Sequence, residues 1–304
     1  MSFTRVSLRL GISFLALSIA FRIPSAQAET ADEIHRIPYA ADDSLQFGDL
    51  LLPRGAGPFP LAVVIHGGCW RAGIATLDST SALADALAGA GVATWNVEYR
   101  RVGNRGGGWP GTFRDVAAAT DFAKTLAASY PIDLARVVVV GHSAGAHLAL
   151  WAAARAKLNQ ASALYVKSPL ALRGVVAIAG PGDLRPLGLR GSICGKGTLE
   201  GLLGGTAESV PEHYAQASPA ALLPLGVRQA LIAGSDDRVV PPRLVEMYEE
   251  VARRAGDRVS LDEIRGANHI ELIAPDSNAW PTVKRRVLEL VGSVTKVDSP
   301  IRSP

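Results

Sequence analysis

Hydrophobic positions along the chain fall into two alternating kinds of segment. Short, nearly unbroken apolar runs occur at Pro60–His66, Val92–Val97, Arg136–Gly141, Gly174–Gly180 and Gln229–Gly234. Longer Ala- and Leu-rich stretches lie between them, including Asp78–Ala90, Phe113–Ser129, Ala144–Lys157 and Arg243–Arg254. Apolar runs without strict alternation are typical of parallel strands covered by helices on both faces. The pattern therefore predicts an α/β fold with a mostly parallel central sheet and helices on both sides. Arg258–Ile264 adds a strand and Thr282–Val291 a last helix, while Glu33–Ala40 and Leu45–Leu52 read as an antiparallel pair at the start of the sheet. Pro181–Gly226, rich in Gly and Pro, breaks the rhythm and reads as a short cap-like excursion, either a lid or a loop. Asp298–Pro304 reads as a loose tail.

The amino terminus has a different pattern. Arg5 and Arg9 precede the mostly apolar run Leu10–Phe21, then Pro24 and the small-residue stretch Ala26-Gln27-Ala28. This is the pattern of a secretory signal peptide, with 29–304 expected as a single exported domain. The apolar run is too short to span about 30 Å of hydrocarbon comfortably. The leader also changes the charge balance. The whole chain is +3, but residues 1–28 hold three arginines and no acid, and residues 29–304 carry 28 basic and 28 acidic side chains. A phosphate-tracking protein needs a basic excess, so no nucleic-acid partner is expected, nor a membrane partner once the leader is removed. The two cysteines, Cys69 and Cys194, can pair in an oxidising compartment or remain buried thiols.

Between an apolar strand and an Ala-rich helix lies Gly141-His142-Ser143-Ala144-Gly145. G-x-S-x-G in that setting places a serine on a sharp strand-to-helix turn, its hydroxyl exposed at the top of a sheet. The flanking glycines let neighbouring backbone approach closely. A serine hydroxyl needs a base before it becomes a useful nucleophile. His269 lies in the loop after the last strand, at the carboxyl edge of the sheet where ligands bind, and is the expected base. His66 reads as structural, His142 as diverging from Ser143, and His147 as packing beneath the site. The base needs an acid to fix its tautomer, and Asp236 and Asp237 both leave the carboxyl end of the strand Gln229–Gly234.

An oxyanion also needs donors. The amide of Ala144 is one, and Gly68 and Cys69 in His66-Gly67-Gly68-Cys69-Trp70 are the expected others. Trp70 and Trp109 are the aromatic candidates for substrate contact. Trp109 lies in a Gly-rich loop, 103–111, that reads as mobile and at the rim of the site; a packed surface position is its alternative. Asp183 reads as a helix cap. No metal or cofactor is implied. His142 and His147 lack a zinc-type spacing with a third ligand, and the Gly-rich loop lacks a phosphate-loop spacing.

Taken together, HGGCW, GHSAGAHLAL, GSDDRVVP and ANHIELI resemble the α/β-hydrolase superfamily, and most closely its kynurenine formamidase and small carboxylesterase branch. The resemblance covers about residues 45–293. It implies the α/β-hydrolase fold, and it favours Asp237 over Asp236 because the G-x-x-D-x-x-V-P spacing is similar to the acid turn of such hydrolases. Ser143, Asp237 and His269 then keep the chain order of that superfamily. The implied activity is hydrolysis of a small-molecule carboxylic ester or aryl formamide through an acyl-serine. An export leader fits external esters better than an intracellular formamide. The alternatives are an exported peptidase on the same fold and a non-catalytic ligand-binding homologue. The sequence leaves the oligomeric state open.

Overall fold

A computed structural model describes residues 33–185 and 194–292, besides Met1. The expected leader beyond Met1, the tail and residues 186–193 of the excursion lie outside the described residues. Among the described residues, eight strands form one sheet in the order β1-β2-β4-β3-β5-β6-β7-β8. The strands are β1 (Ile34–Pro38), β2 (Phe47–Leu51), β3 (Phe59–Ile65), β4 (Ala93–Val97), β5 (Ile132–His142), β6 (Gly174–Ile178), β7 (Arg228–Gly234) and β8 (Val259–Ile264). β1 and β2 pair antiparallel, as does β2 with β4, and every pairing from β4 through β8 is parallel. This is the mostly parallel sheet that the apolar runs predict.

The helices are α1 (Ser81–Gly89), α2 (Gly111–Asp121), α3 (Ala123–Ser129), α4 (Ala144–Ala154), α5 (Thr198–Leu203), α6 (Pro211–Ala217), α7 (Pro242–Arg254) and α8 (Trp280–Val291). Val63, Val139, Val175 and Leu231 face one core layer with α2 and α4. Val64, Val140, Val176 and Ile232 face the other with α1 and α8. Successive strand side chains thus feed opposite layers, which is why the runs are apolar at every position. Helix α4 is buried along its whole length and therefore carries no polar face.

Two expectations change. The stretch Phe113–Ser129 is two helices that meet at Phe122. The excursion has structure of its own, with α5, α6 and a 3-10 turn at Pro219–Leu222 packed onto the core through Leu199, Leu202 and Tyr214. Among the described residues no helix is long and apolar enough to cross a membrane.

Trp95 marks the core on the α2 side. It is fully buried in β4, donates its indole N–H to the Ala119 carbonyl at 3.0 Å, and its ring fills the space a side chain on Gly48 would need. Trp95→Ala should cost about 3–5 kcal/mol. At about 2–4 °C per kcal/mol for a domain of this size, that is a fall in Tm of roughly 10 °C or more in a thermal unfolding scan.

Candidate active site

The carboxyl ends of β3, β5, β7 and β8 converge on one edge of the sheet. At the end of β5, Ser143 adopts φ +56° and ψ −121°, and its amide donates to the Ile178 carbonyl of β6 at 2.8 Å. A non-glycine residue at positive φ is strained and persists only where its surroundings hold it. Here the hold is close packing of α4 on the sheet. A Cβ on Gly145 would strike the Ile65 and His66 carbonyls of β3, and one on Gly141 would strike the Gly145 carbonyl. The two glycines of the motif are therefore steric requirements of the turn.

After β7, the chain turns through Ser235–Val240. The Asp237 Oδ1 accepts the amides of Val239 and Val240, both at 2.8 Å, and Oδ2 lies 2.7 Å from His269 Nδ1. Asp237 is buried, whereas Asp236 is exposed and bonded to the neighbouring Ser235 hydroxyl. The structure thus brings Asp237, not Asp236, to the histidine. The His269 loop is shaped locally by Asn268. Its Oδ1 accepts the amides of Ile270 and Glu271, and its own amide donates to the Glu271 side chain, a reciprocal cap of the short turn beyond it.

His142 links the serine turn to this loop. Its Nε2 donates to the His269 carbonyl at 3.0 Å, and the two rings lie 4.5 Å apart. The ring thus turns towards the base rather than simply away from the site. Asp237 occupies Nδ1 of His269, which leaves Nε2 as the nitrogen that can serve Ser143. Among the described residues the Ser143 hydroxyl makes no hydrogen bond to that ring. Nucleophile–base contacts of this kind often tighten only around bound substrate.

Across the turn lies the loop after β3. Gly68, Cys69 and Trp70 all have positive φ, at +101°, +53° and +54°. The amides of Gly68 and Cys69 donate to no acceptor among the described residues, and that of Ala144 begins α4. Gly67 abuts the Cβ of Ser143, so this loop lies directly beside the turn. Cys69 is disulfide-bonded to Cys194, which ties the loop to the excursion. Of the two states the sequence allows for these cysteines, the structure has the bridge.

Both tryptophans have packing partners within the fold. Trp70 is only 3% exposed and donates its indole N–H to His147 Nδ1 at 3.2 Å. It anchors the loop to α4. Trp109 is half-buried and stacks on His213 of α6 at 4.2 Å, with Phe113 at its edge. The Gly-rich loop is therefore packed against the excursion, the alternative reading for Trp109. Asp183 accepts the Ser218 hydroxyl and the Arg185 amide. His147 does pack beneath the site, between Trp70 and the Ala217 carbonyl. Sequence reasoning passes over His142 and Glu98 as contributors, although His142 stands inside the serine motif itself.

An open depression of about 680 Å³ lies at the histidine, lined by residues 235–239, Asn268 and His269 and not by Ser143 or the loop after β3. A groove of about 710 Å³ lies at the opposite end of the sheet, at the amino ends of β7 and β8, away from the serine. Among the described residues no cluster of His, Cys, Asp and Glu is arranged to hold a metal. The chemistry on offer is proton transfer by an oriented imidazole beside a strained serine and unpaired amides.

Similarity to known proteins agrees with this geometry. A family profile described as BD-FAE matches residues 49–250. A truncated carbohydrate esterase from gut microbiota superposes with a TM-score of 0.72 at 21% identity, covering 86% of this chain and 98% of its own. A thermophilic esterase from the Planctomycetes species Thermogutta terrifontis does so at 0.68 and 20% identity, covering 90% and 97%. An acetyl ester-xyloside bifunctional hydrolase from Caldicellulosiruptor lactoaceticus does so at 0.69 and 17%, covering 86% and 97%. At these identities the likeness establishes the α/β-hydrolase fold. No curated protein sequence matches the chain.

Burial leaves two histidines here that resist protonation. Burial, with the charge of His269, pushes the pKa of His142 down to about 3, and burial pushes that of His147 down to about 4 despite the Ala217 carbonyl. Unfolded histidine titrates near about 6.5. Below that pH the unfolded chain takes up protons that the folded chain refuses, so stability falls as the medium is acidified towards pH 4. Urea unfolding at pH 7, 5.5 and 4.5 should show a shallower acid slope for His147→Gln than for the wild type. Equal slopes would contradict the assignment.

Proposed function

Because the chain belongs to the BD-FAE family, we propose that it hydrolyses carboxylic esters through an acyl-serine intermediate, with Ser143 as nucleophile, His269 as base and Asp237 as its orienting acid. The observation that carries this reading is the 2.7 Å Asp237–His269 contact beside a serine held at φ +56°. In the first step Ser143 Oγ attacks the acyl carbon while its proton passes to His269 Nε2. The carbonyl π electrons move to oxygen, which accepts from the amides of Gly68, Cys69 and Ala144. As the oxyanion collapses, the alcohol leaves with the proton from His269. Water then repeats the sequence on the acyl-serine and releases the acid. Asp237 remains ionised throughout and stabilises the transient imidazolium.

Exposed, externally supplied esters are the substrates this reading favours. The leader-like residues 1–28 and the Cys69–Cys194 bridge both support an exported protein, since disulfides persist in oxidising compartments. Solved relatives described as a carbohydrate esterase and an acetyl ester-xyloside hydrolase support acyl esters of carbohydrates as the class to test. The HGGCW and GHSAGAHL motifs keep an aryl formamide as the second reading. Among acetylated sugars, feruloyl esters, simple aryl esters and N-formylkynurenine, the sugar esters should turn over fastest by kcat/KM. Preferential cleavage of N-formylkynurenine would select the second reading instead.

With a short-chain p-nitrophenyl ester, Ser143→Ala should lower kcat/KM by about 10⁴-fold or more. Asp237→Asn should lower kcat by about 10⁴-fold, because the base then presents the wrong tautomer. Equal inertness of the wild type and Ser143→Ala would favour a non-catalytic binder.

A further inference from the structure

We infer that His66 is a positioning residue that sets the direction of the Gly68 amide through the Gly67–Gly68 peptide. This rests on the ester-hydrolysing reading of the site. The ring is fully buried, and its Nδ1 lies 2.7 Å from the Gly67 carbonyl oxygen. A carbonyl only accepts, so Nδ1 carries the proton of that bond. In a planar trans peptide the C=O and the N–H point in opposite directions. Holding the Gly67 oxygen on the ring therefore aims the Gly68 N–H the other way, and that amide has no acceptor among the described residues. Without a clamp this peptide has unusual freedom, because it joins two glycines and Gly68 sits at φ +101°.

The ring itself is fixed from every side. Nε2 lies 2.9 Å from Glu98 Oε1, and Tyr99 stacks on it at 4.4 Å and 21°. The Tyr99 hydroxyl donates to the His66 carbonyl at 2.8 Å and also reaches the Gly67 carbonyl at 3.4 Å, a longer contact than the 2.7 Å made by the ring. Glu98 also accepts the amides of Tyr99 and Leu77, and Arg101 meets it at 3.0 Å. Burial works against ionised Glu98, but the hydrogen bond and charge of His66, the Tyr99 amide and Arg101 outweigh it and hold the carboxyl below the usual range. A buried charge cluster of this kind costs desolvation unless it is fully bonded. Here its effect converges on one ring, and that ring bonds to one peptide oxygen.

Two amide side chains divide the ring's contacts. Asn places its nitrogen near the position of Nδ1 and can still donate to Gly67, whereas Gln reaches the position of Nε2 and keeps the Glu98 contact alone. On a short-chain aryl ester, His66→Asn should keep kcat within about tenfold of the wild type. His66→Gln and His66→Ala should lose about 10²–10³-fold in kcat, the loss typical of one oxyanion donor, with KM within about threefold. If His66→Gln is no worse than His66→Asn, or if the loss falls on KM with kcat kept, the inference is overturned. Failure of both amide variants to fold would make the ring a purely structural element and overturn it as well. These outcomes stand apart from the broader reading, which falls if Ser143→Ala retains the activity of the wild type or if the wild type is itself inert.

Discussion

The site depends on how closely α4 approaches the sheet. The helix begins immediately after Ser143, is buried on all sides, and passes so near the β3 carbonyls that only glycine fits at 145. Ser143, between the end of β5 and the start of this helix, is held at φ +56°. Strain of this kind is of order 1–3 kcal/mol and must be offset by surrounding packing. The apolar contacts of α4 with Val139, Val175 and their neighbours supply it. A fully buried helix, apolar but for the hydrogen-bonded His147, therefore supports the serine turn as well as forming part of the core.

A second strained segment faces the first, and different forces hold it. Cys69 and Trp70 occupy the left-handed region, which neither favours. They are fixed by a disulfide on one side and by the Trp70–His147 hydrogen bond on the other. The Glu98, His66 and Arg101 cluster fixes the peptide that precedes them. Covalent, polar and ionic restraints thus meet at the two loop amides, of Gly68 and Cys69, proposed to receive the oxyanion. Preorganised donors stabilise developing charge because they do not have to reorient when it forms.

Histidine serves several ends here, and environment separates them. His269 is paired with a buried carboxylate at the edge of an open depression. His142 and His147 make no bond to a carboxylate, are held neutral chiefly by burial, and act as hydrogen-bonding struts. His66 meets Glu98 and braces a peptide. His213 packs under Trp109. The same side chain is a candidate base, strut or brace according to which of its nitrogens is engaged and by what.

The sequence alone determined the layered architecture, because burial on two faces forces apolar residues at every position of a parallel strand and that pattern is local. It also determined the serine turn, whose G-x-S-x-G spelling between an apolar strand and an Ala-rich helix is a local pattern, and the loops carrying Asp237 and His269, which end strands at the edge where ligands bind. Tertiary structure decided the rest. The motif resemblance favoured Asp237 over Asp236, but the physical reason lies in the turn, which buries one carboxylate against two amides and exposes the other. The bridge between Cys69 and Cys194 needed two loops 125 residues apart to bring their Cα atoms within 5.5 Å. The placement of Trp70 and Trp109 turned on partners at His147 and His213, and the linkage of His142 to His269 spans 127 positions. Such contacts leave no periodic trace in a sequence, because they depend on where distant segments meet and not on how neighbouring residues repeat.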